Sequence, residues 1–361
     1  METKIVKLEC GDGILSPEDK AVLKEAGEVL KKGGLVAFPT ETVYGLGGDA
    51  LNKASSQKIY AAKGRPSDNP LIVHICRFED IYQIASWVPG EAERIARAFW
   101  PGPLTMILPK SDLVPRETTG GLDTVAVRMP SHPAARELIA CAGGFVAAPS
   151  ANTSGKPSPA AAQYVVEDML GKIDMIVDGG QVGIGLESTI VDLTVSPPQI
   201  LRPGYVTREM LEKVLGTVEE DAVLLSGDSK KPPRAPGMKY RHYAPRGELT
   251  IVQGPQEEVV RYINSQAAKE KAEGEKVGVI ATKEALPLYR ADVVKSVGSR
   301  RDEEEIARHL YNILREFDRE AVTKIYSEGF SSRGFGQAIM NRLLKAAGYR
   351  VVELKEGTEN I

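Results

Sequence analysis

The chain has 361 residues and a formal net charge of −3, and apolar residues make up 42% of it. This length predicts two domains. The near-neutral charge excludes a global field that would draw the protein to nucleic acid or to anionic lipid. Three scattered cysteines are too few for a disulfide framework or a zinc cluster, so we expect reduced, partly buried thiols. We find no signal-peptide pattern and no apolar stretch near the ~18 residues of a membrane span, which makes the cytoplasm the expected compartment.

Helices and strands alternate through residues 1–215. The apolar periodicity predicts, in chain order, helix 23–32, strand 35–38, helix 54–63, strand 71–75, helix 91–100, strands 104–108 and 125–128, helix 134–142, strand 145–148, helix 160–170, strands 175–178 and 188–193, and helix 207–215. Several neighbouring strands have connections too short for a parallel crossover. We therefore predict an α/β domain with a twisted mixed sheet.

The composition changes at residues 216–247, where prolines exclude a helix or a central strand and predict an extended linker. The linker also carries tyrosines, a histidine and basic groups, which a passive spacer does not need. Residues 248–361 form a smaller third region with strands at 249–253, 277–281, 291–294 and 324–327, and helices at 257–271, 303–317 and 337–347. Strands separated by long helices predict a parallel, Rossmann-like sheet.

The first candidate site segment is PTETVYGL at 39–46, which directly follows a buried strand. Loops at strand ends are natural ligand contacts, and the hydroxyl groups of this one favour a site over an ordinary turn. Gly45, Gly47 and Ala50 also match a dinucleotide-binding pattern. That pattern needs its glycines in the first strand-to-helix turn, and here a polar hexapeptide intervenes, so we disfavour it.

The second segment, KGRPSDNP at 63–70, places Lys63 and Arg65 two residues apart in a loop stiffened by prolines. Arginine offers phosphate oxygens a planar fork and lysine a point charge, so the pair predicts a cationic clamp. The alternative is a solvated charged loop. The next strand carries His74, which on pattern alone is either a core histidine or a ligand contact.

The third segment, APSANTSGKP at 148–157, follows another buried strand. Its Ser, Asn and Thr side chains and free backbone amides predict a neutral anion-binding nest. A P-loop is excluded, because Ser150 replaces its first glycine and Pro157 its hydroxyl residue.

Further polar groups lie beside other strands. Ser188 and Thr189 open one strand, Arg202 lies in a predicted tight turn, and Thr124 and Arg128 flank a third strand. We find no serine–histidine–aspartate order, no zinc motif and no obvious nucleophile. Cations, hydroxyls and amides without a nucleophile suit nucleotidyl or phosphoryl transfer, where positioning and charge neutralisation do the catalysis.

Taken together, these segments resemble the L-threonylcarbamoyladenylate synthase family in its two-domain form. The resemblance runs from about residue 23 to the end and rests on ordered blocks: PTETVYGL at 39–46, KGRP with NPL at 63–71, PGPLT at 101–105, SAN at 150–152, STIVD at 188–192, LRPG at 201–204 and PGMKYRHYAP at 236–245. It implies a YrdC-type catalytic domain at 1–215, the linker at 216–247 and a Rossmann-like domain at 248–361. Ala235 departs from the serine that the family usually has there.

The resemblance also implies residue roles, and it moves His74 to a substrate contact. The catalytic set falls on Lys63, Arg65, Ser150 and Asn152. The L-threonine contacts fall on Thr42, His74, Arg128, Ser188 and the backbone near Ala148. The ATP contacts fall on Arg65, Asn69, Thr124, Ser150, Ser158, Arg202 and, from the linker, Tyr243.

The implied reaction forms L-threonylcarbamoyl-AMP and pyrophosphate from L-threonine, bicarbonate and ATP. A separate tRNA threonylcarbamoyl transferase complex then modifies adenosine 37 of tRNAs that read ANN codons. We expect Mg²⁺ to enter with the ATP phosphates, without protein side chains as metal ligands, and residues 236–245 to close over the site.

Two alternatives stay open: an RNA-binding module, or another enzyme that forms a carbamoyl-adenylate. A weak direct contact with tRNA is compatible with either the enzyme or the RNA-binding reading. A carbamoyl-phosphate-dependent enzyme of the hydrogenase-maturation kind is disfavoured, because its zinc-finger and acylphosphatase segments are missing from this sequence.

Overall fold

The computed structural model of the chain describes residues 2–9, 13–221, 234–235 and 243–355. The chain forms two compact units, Met1–Ser154 with Ser158–Tyr240, and Gly155–Pro157 with Arg241–Ile361. Most of the predicted linker, including residues 236–242 of the proposed lid, lies outside the described residues. The region boundaries at 215 and 248 therefore stay predictions. Within the described part of the chain, every helix is too short or too polar to cross a membrane.

The described helices of the first unit pack on a large sheet. They are α1 Pro17–Lys31, α2 Lys53–Lys63, α3 Ile81–Ile84, α4 Gly90–Phe99, α5 Pro133–Cys141, α6 Ala162–Met169 and α7 Arg208–Leu215. The first helix starts six residues earlier than its apolar pattern predicts. Ser16 caps it, Asp19 completes a reciprocal capping box, and Pro17 occupies the first turn, so local polar contacts set this end.

The sheet of the first unit is mixed, as predicted. Its described strands are β1 Lys4–Lys7, β2 Val36–Phe38, β3 Gly45–Asp49, β4 Ile72–His74, β5 Leu104–Pro109, β6 Thr124–Arg128, β7 Val146–Ala147, β8 Met175–Asp178, β9 Thr189–Asp192, β10 Gln199–Arg202 and β11 Glu219–Glu220. Their order is β1-β8-β2-β3-β7-β4-β6-β5-β9-β10-β11. Parallel pairs such as β4–β6 alternate with antiparallel pairs such as β5–β6.

Strand β3 was not predicted, because three of its five residues are glycine. A Cβ atom on Gly47 would lie 2.9 Å from a ring carbon of Phe38, so the glycine allows β2 and β3 to pack closely. Gly45 and Gly47 thus lie inside a strand rather than in a strand-to-helix turn. This placement removes the basis for the dinucleotide-binding interpretation.

The second unit holds a parallel sheet, again as predicted. Its described elements are β12 Glu248–Gln253, α8 Gln256–Ala272, β13 Val277–Thr282, β14 Val293–Gly298, α9 Glu303–Arg319, β15 Lys324–Glu328, α10 Gly336–Ala346 and β16 Val351–Glu353. Every strand pair in the order β14-β13-β15-β12-β16 is parallel. The short strand β16 escaped prediction because it is only partly buried.

Candidate active site

The end of α2 brings together three of the four residues assigned to catalysis. Gly64 adopts a left-handed conformation with φ of 60°, which ends the helix directly after Lys63. The Lys63 side chain is 2% exposed, and its Nζ donates to the Ser150 and Asn152 carbonyl oxygens, the latter at 2.6 Å. The buried ammonium group therefore lies against the 150–152 loop.

The loop at 150–152 is ordered by its own hydrogen bonds. Ser150 Oγ donates to Asn152 Oδ1 at 2.5 Å, and Asn152 Nδ2 donates to the Thr153 carbonyl at 2.9 Å. The Ala151 amide donates to the Tyr44 carbonyl at 2.8 Å, which ties the loop to β3. Such fixed dipoles cost no reorganisation when a charged ligand arrives.

Arg65 and Asn69 lie on one stiff loop. Arg65 is 9% exposed and its Nη2 donates to the Pro70 carbonyl at 3.0 Å and to the Asn69 carbonyl at 3.3 Å. Tyr60 also donates to the Asn69 carbonyl, and burial raises the pKa of its phenol to about 12. Asn69 is 1% exposed, yet its Oδ1 accepts no hydrogen bond from the described residues. A buried acceptor left unpaired costs about 1–3 kcal/mol, which makes Asn69 Oδ1 a candidate for a ligand contact.

A row of polar residues crosses the middle of the mixed sheet. His74 on β4 is in register with Arg128 on β6, and Arg128 is in register with Thr105 on β5. All three are buried, at 2%, 4% and 0% exposure. Because partners in register lie side by side, the sheet itself sets this row.

His74 is neutral near pH 7. Burial and the neighbouring Arg128 cation lower the pKa of its imidazole to about 3. Its Nδ1 donates to the Ile72 carbonyl at 3.1 Å. The ring therefore supplies shape and hydrogen bonding, while the positive charge of the row comes from Arg128.

A hydroxyl group directly before β9 and a guanidinium group at the end of β10 continue the row. Thr105 Oγ1 and Ser188 Oγ lie 2.7 Å apart, and Arg202 donates to Ser188 Oγ at 3.1 Å and to the Ser188 carbonyl at 3.0 Å. The prediction that Arg202 lies in a tight turn was wrong: it is the last residue of β10. Pairing with β9 holds that residue extended and aims its side chain at Ser188.

The remaining residues assigned to substrate binding lie outside this row. Thr42 is fully buried with its hydroxyl 2.9 Å from that of Thr40, and Ala148 donates its amide to Ile72. Thr124 starts β6, about 13 Å from Arg128 on the same face of that strand. Tyr243 belongs to the second unit, where its ring stacks on Tyr311 with centroids 5.2 Å apart.

The structure adds three polar residues that sequence reasoning did not assign. Thr105 bridges to Ser188, Glu41 pairs with Arg128 at 2.6 Å, and Glu187 accepts the Ser158 hydroxyl at 2.5 Å. Each lies inside one of the quoted sequence blocks or next to one. A polar residue in an apolar strand was the signal for Thr105, whereas the carboxylates gave no pattern of their own.

The described residues contain no group of three or more His, Cys, Asp or Glu side chains that could hold a metal ion. Mg²⁺ is commonly held by substrate phosphates and waters with only one or two carboxylates. That a magnesium ion enters with the ATP phosphates stays a prediction.

Comparisons with known proteins show the family to which this chain belongs. Residues 28–204 match a family model described as "Telomere recombination", and residues 206–348 match "Threonylcarbamoyl-AMP synthase, C-terminal domain". Curated threonylcarbamoyl-AMP synthases from Pyrococcus abyssi and Bacillus subtilis are 52% and 47% identical, over 92% and 94% of this chain and 96% of each relative.

A crystal structure of the Pyrococcus abyssi protein complexed with L-threonine is similar over 98% of this chain and 100% of that one, with a TM-score of 0.91 and 48% identity. Both the sequence and the fold thus match over nearly the whole length. The chain belongs to the threonylcarbamoyl-AMP synthase family.

Proposed function

We propose that this protein is a nucleotidyltransferase that joins L-threonine, bicarbonate and ATP into L-threonylcarbamoyl-AMP and pyrophosphate. The reaction is the first step of N6-threonylcarbamoyladenosine formation at position 37 of tRNAs that read ANN codons. One observation carries the proposal: buried polar residues that are distant in sequence come together where β4, β6, β5, β9 and β10 lie consecutively in one sheet, namely His74, Arg128, Thr105, Ser188 and Arg202.

The chemistry requires three negative groups to approach one another. Bicarbonate and the amino group of threonine form a carbamate and release water. A carbamate oxygen then attacks the α-phosphorus of ATP, and the bond to pyrophosphate breaks. Lys63, Arg65, Arg128 and Arg202, each at most 9% exposed, offset the repulsion between the amino-acid carboxylate, the carbamate and the triphosphate. Each charge-assisted contact contributes roughly 1.5–3 kcal/mol.

We assign the substrate groups by charge and reach. Arg128 in the row with His74 and Thr105 receives the threonine side of the reaction. Lys63, Arg65 and the Ser150–Asn152 loop receive phosphate oxygens, and Asn69 and Ser158 contact the nucleotide. The separation between Thr124 and Arg128, about 13 Å, fits a ligand as long as a nucleotide joined to an amino acid.

Several parts of the proposal rest on the resemblance alone. They are Mg²⁺ bound through the ATP phosphates, Tyr243 as a nucleotide contact, closure by residues 236–245, product transfer to a tRNA threonylcarbamoyl transferase complex, a weak direct contact with tRNA, and a cytoplasmic location. The L-threonine complex of the Pyrococcus abyssi relative supports the amino-acid substrate.

A pyrophosphate-release assay with ATP, Mg²⁺ and bicarbonate tests the proposal. We expect release that depends on L-threonine and is at least ~4-fold less efficient with L-serine, because serine lacks one methyl group worth about 0.8 kcal/mol. Arg65→Ala should abolish release, whereas Arg94→Ala, which changes a half-exposed arginine of the same unit, should not. Release that is independent of L-threonine would overturn the proposed function.

A further inference from the structure

Glu41 and Arg128 form a buried ion pair at the edge of the polar row. Arg128 Nη2 lies 2.6 Å from Glu41 Oε1, and the two side chains are 5% and 14% exposed. The second carboxylate oxygen, Oε2, accepts the Ser131 amide at 3.2 Å, and Arg128 Nε donates to the Gly102 carbonyl at 3.4 Å. Contacts on both sides therefore fix the pair in one geometry.

Stability alone gives a weak reason for this pair. Transferring two charges from water to a buried position costs more free energy than burying a well-packed apolar pair. The attraction between the two charges often fails to offset that cost. Glu41 also comes from the loop before β3, 87 residues away from Arg128, rather than from a strand that pairs with β6. The fold thus delivers a carboxylate to a cation that was already assigned to the substrate.

We propose that Glu41 determines specificity by receiving the α-ammonium group of the amino-acid substrate, while Arg128 receives its α-carboxylate. This inference rests on the proposed function, because it takes L-threonine as the substrate. An α-amino acid carries its ammonium and carboxylate groups on the same carbon atom, so its receptor needs an anion beside a cation. Glu41 and Arg128 present that arrangement, and in the absence of substrate each serves as the other's counter-ion.

The exchange keeps the buried charge balanced. When the zwitterion enters, the Arg128 guanidinium group pairs with the substrate carboxylate instead of with Glu41. The Glu41 carboxylate pairs with the substrate ammonium group instead of with Arg128. The site then holds two ion pairs in place of one, with no change in net charge. A ligand that lacks either group leaves one buried charge unmatched, and unmatched charge is the costly case.

The competing role for Glu41 is a brace that only orients Arg128. A brace and an ammonium receptor differ in what they predict for ligands without an amino group. Loss of a brace weakens every ligand that carries the carboxylate by the same factor. Loss of an ammonium receptor weakens L-threonine and spares 3-hydroxybutanoate, which is threonine without its amino group.

Calorimetric titration of the full chain without ATP separates these roles. The ligands are L-threonine, 3-hydroxybutanoate and 1-amino-2-propanol, which lacks the carboxylate. We expect the unsubstituted protein to bind L-threonine at least ~10-fold more tightly than either analogue, as charge-assisted hydrogen bonds predict. Glu41→Gln should weaken L-threonine about 10- to 100-fold and should not weaken 3-hydroxybutanoate, because no Glu41 carboxylate is then left unmatched beside that ligand.

Two further variants serve as controls for the Glu41→Gln measurement. Glu41→Asp keeps the carboxylate and should retain the preference for L-threonine over 3-hydroxybutanoate even if its overall affinity falls. Glu212→Gln changes a partly exposed glutamate of the same unit and should behave like the unsubstituted protein. Thermal unfolding of each variant identifies any that fail to fold, in which case Glu41→Asp carries the comparison.

The outcomes are distinct. If Glu41→Gln weakens L-threonine and 3-hydroxybutanoate equally, Glu41 is a brace and the inference is wrong. If the unsubstituted protein does not bind L-threonine, the proposed function fails and the inference fails with it. If Glu41→Gln retains the full preference for L-threonine, the inference alone fails.

Discussion

The two sheets bury charge in different ways. At the end of β15, the Glu328 carboxylate is 1% exposed, accepts the Thr282 amide at 3.0 Å and pairs with Arg300. In the first unit, Lys63 and Arg65 donate to backbone carbonyl oxygens, which fix the position of each cation. Glu328 thus has its countercharge within its own unit, whereas backbone carbonyl groups place Lys63 and Arg65 beside the residues assigned to catalysis.

This difference separates a structural role for buried charge from a functional one. A buried carboxylate whose partner has no assigned substrate contact contributes to folding, and its loss should appear as lost stability. A buried charged group that meets the substrate should, when it is lost, appear mainly as lost activity. Four changes test the contrast, from the largest expected effect to the smallest.

Lys63→Met removes the buried ammonium group and keeps most of the side-chain volume. We expect kcat/KM for pyrophosphate release to fall about 10²- to 10³-fold, the usual cost of losing one fixed group that stabilises the transition state. Lys31→Met is the control, since Lys31 is exposed and pairs only with its helical neighbour Glu28 in the described contacts. Activity within about 3-fold of the unsubstituted enzyme would remove Lys63 from catalysis.

Glu328→Gln tests whether the buried charge of the second unit has a structural role. It leaves Arg300 facing a neutral amide, and we expect the second unit to lose about 1–3 kcal/mol of stability. Pyrophosphate release should stay within about 3-fold of normal, well below the catalytic effect. Hydrogen exchange in β13 and β15 measures the local loss, with the exposed Glu353→Gln as control. Lost activity without lost protection would show that this charge serves function too.

The neutral state of His74 predicts a pH dependence of stability. Its pKa is about 3 in the folded protein and about 6.5 when unfolded, so the unfolded chain takes up the proton first as the pH falls. Stability should therefore decline as the pH drops from 6.5 towards 3, by up to about 1.4 kcal/mol per pH unit. Urea unfolding across this range should give a shallower slope for His74→Asn, and an identical slope would contradict the assignment.

Thr124→Val should have the smallest effect. It removes one hydroxyl at the far end of β6 and keeps the β-branched shape that suits a strand. A neutral hydrogen bond contributes about 0.5–1.5 kcal/mol, so we expect KM for ATP to rise about 2- to 10-fold with kcat unchanged. Thr194→Val, at a hydroxyl that bonds only to Asp192 in the described contacts, is the control. An unchanged KM would remove Thr124 from the nucleotide site.

The sequence predicted the elements that periodicity marks. Strand β5 and helix α2 agree with prediction within a residue or two, because runs of apolar residues or a terminal glycine define them. Strand β3 did not follow this rule, since its glycines serve close packing rather than burial of side chains. The start of α1 was missed because a polar capping box, and not apolar residues, sets it.

The site was predicted residue by residue but not as an arrangement. The family resemblance named Arg128, His74 and Ser188, yet only the pairing of β4, β6, β5 and β9 reveals that they form one row. Glu41 and Arg128 lie 87 residues apart, and no local pattern relates them. Contacts of this kind depend on which loop the sheet order places beside a strand, and one sequence does not contain that information.

Mass spectrometry of the reaction product tests the central claim most directly. The enzyme is incubated with ATP, Mg²⁺, L-threonine and bicarbonate that carries carbon-13. We predict L-threonylcarbamoyl-AMP that is one mass unit heavier than with ordinary bicarbonate, and no such product with Arg65→Ala. Absence of this product, or a product whose mass does not change with the label, would contradict the account.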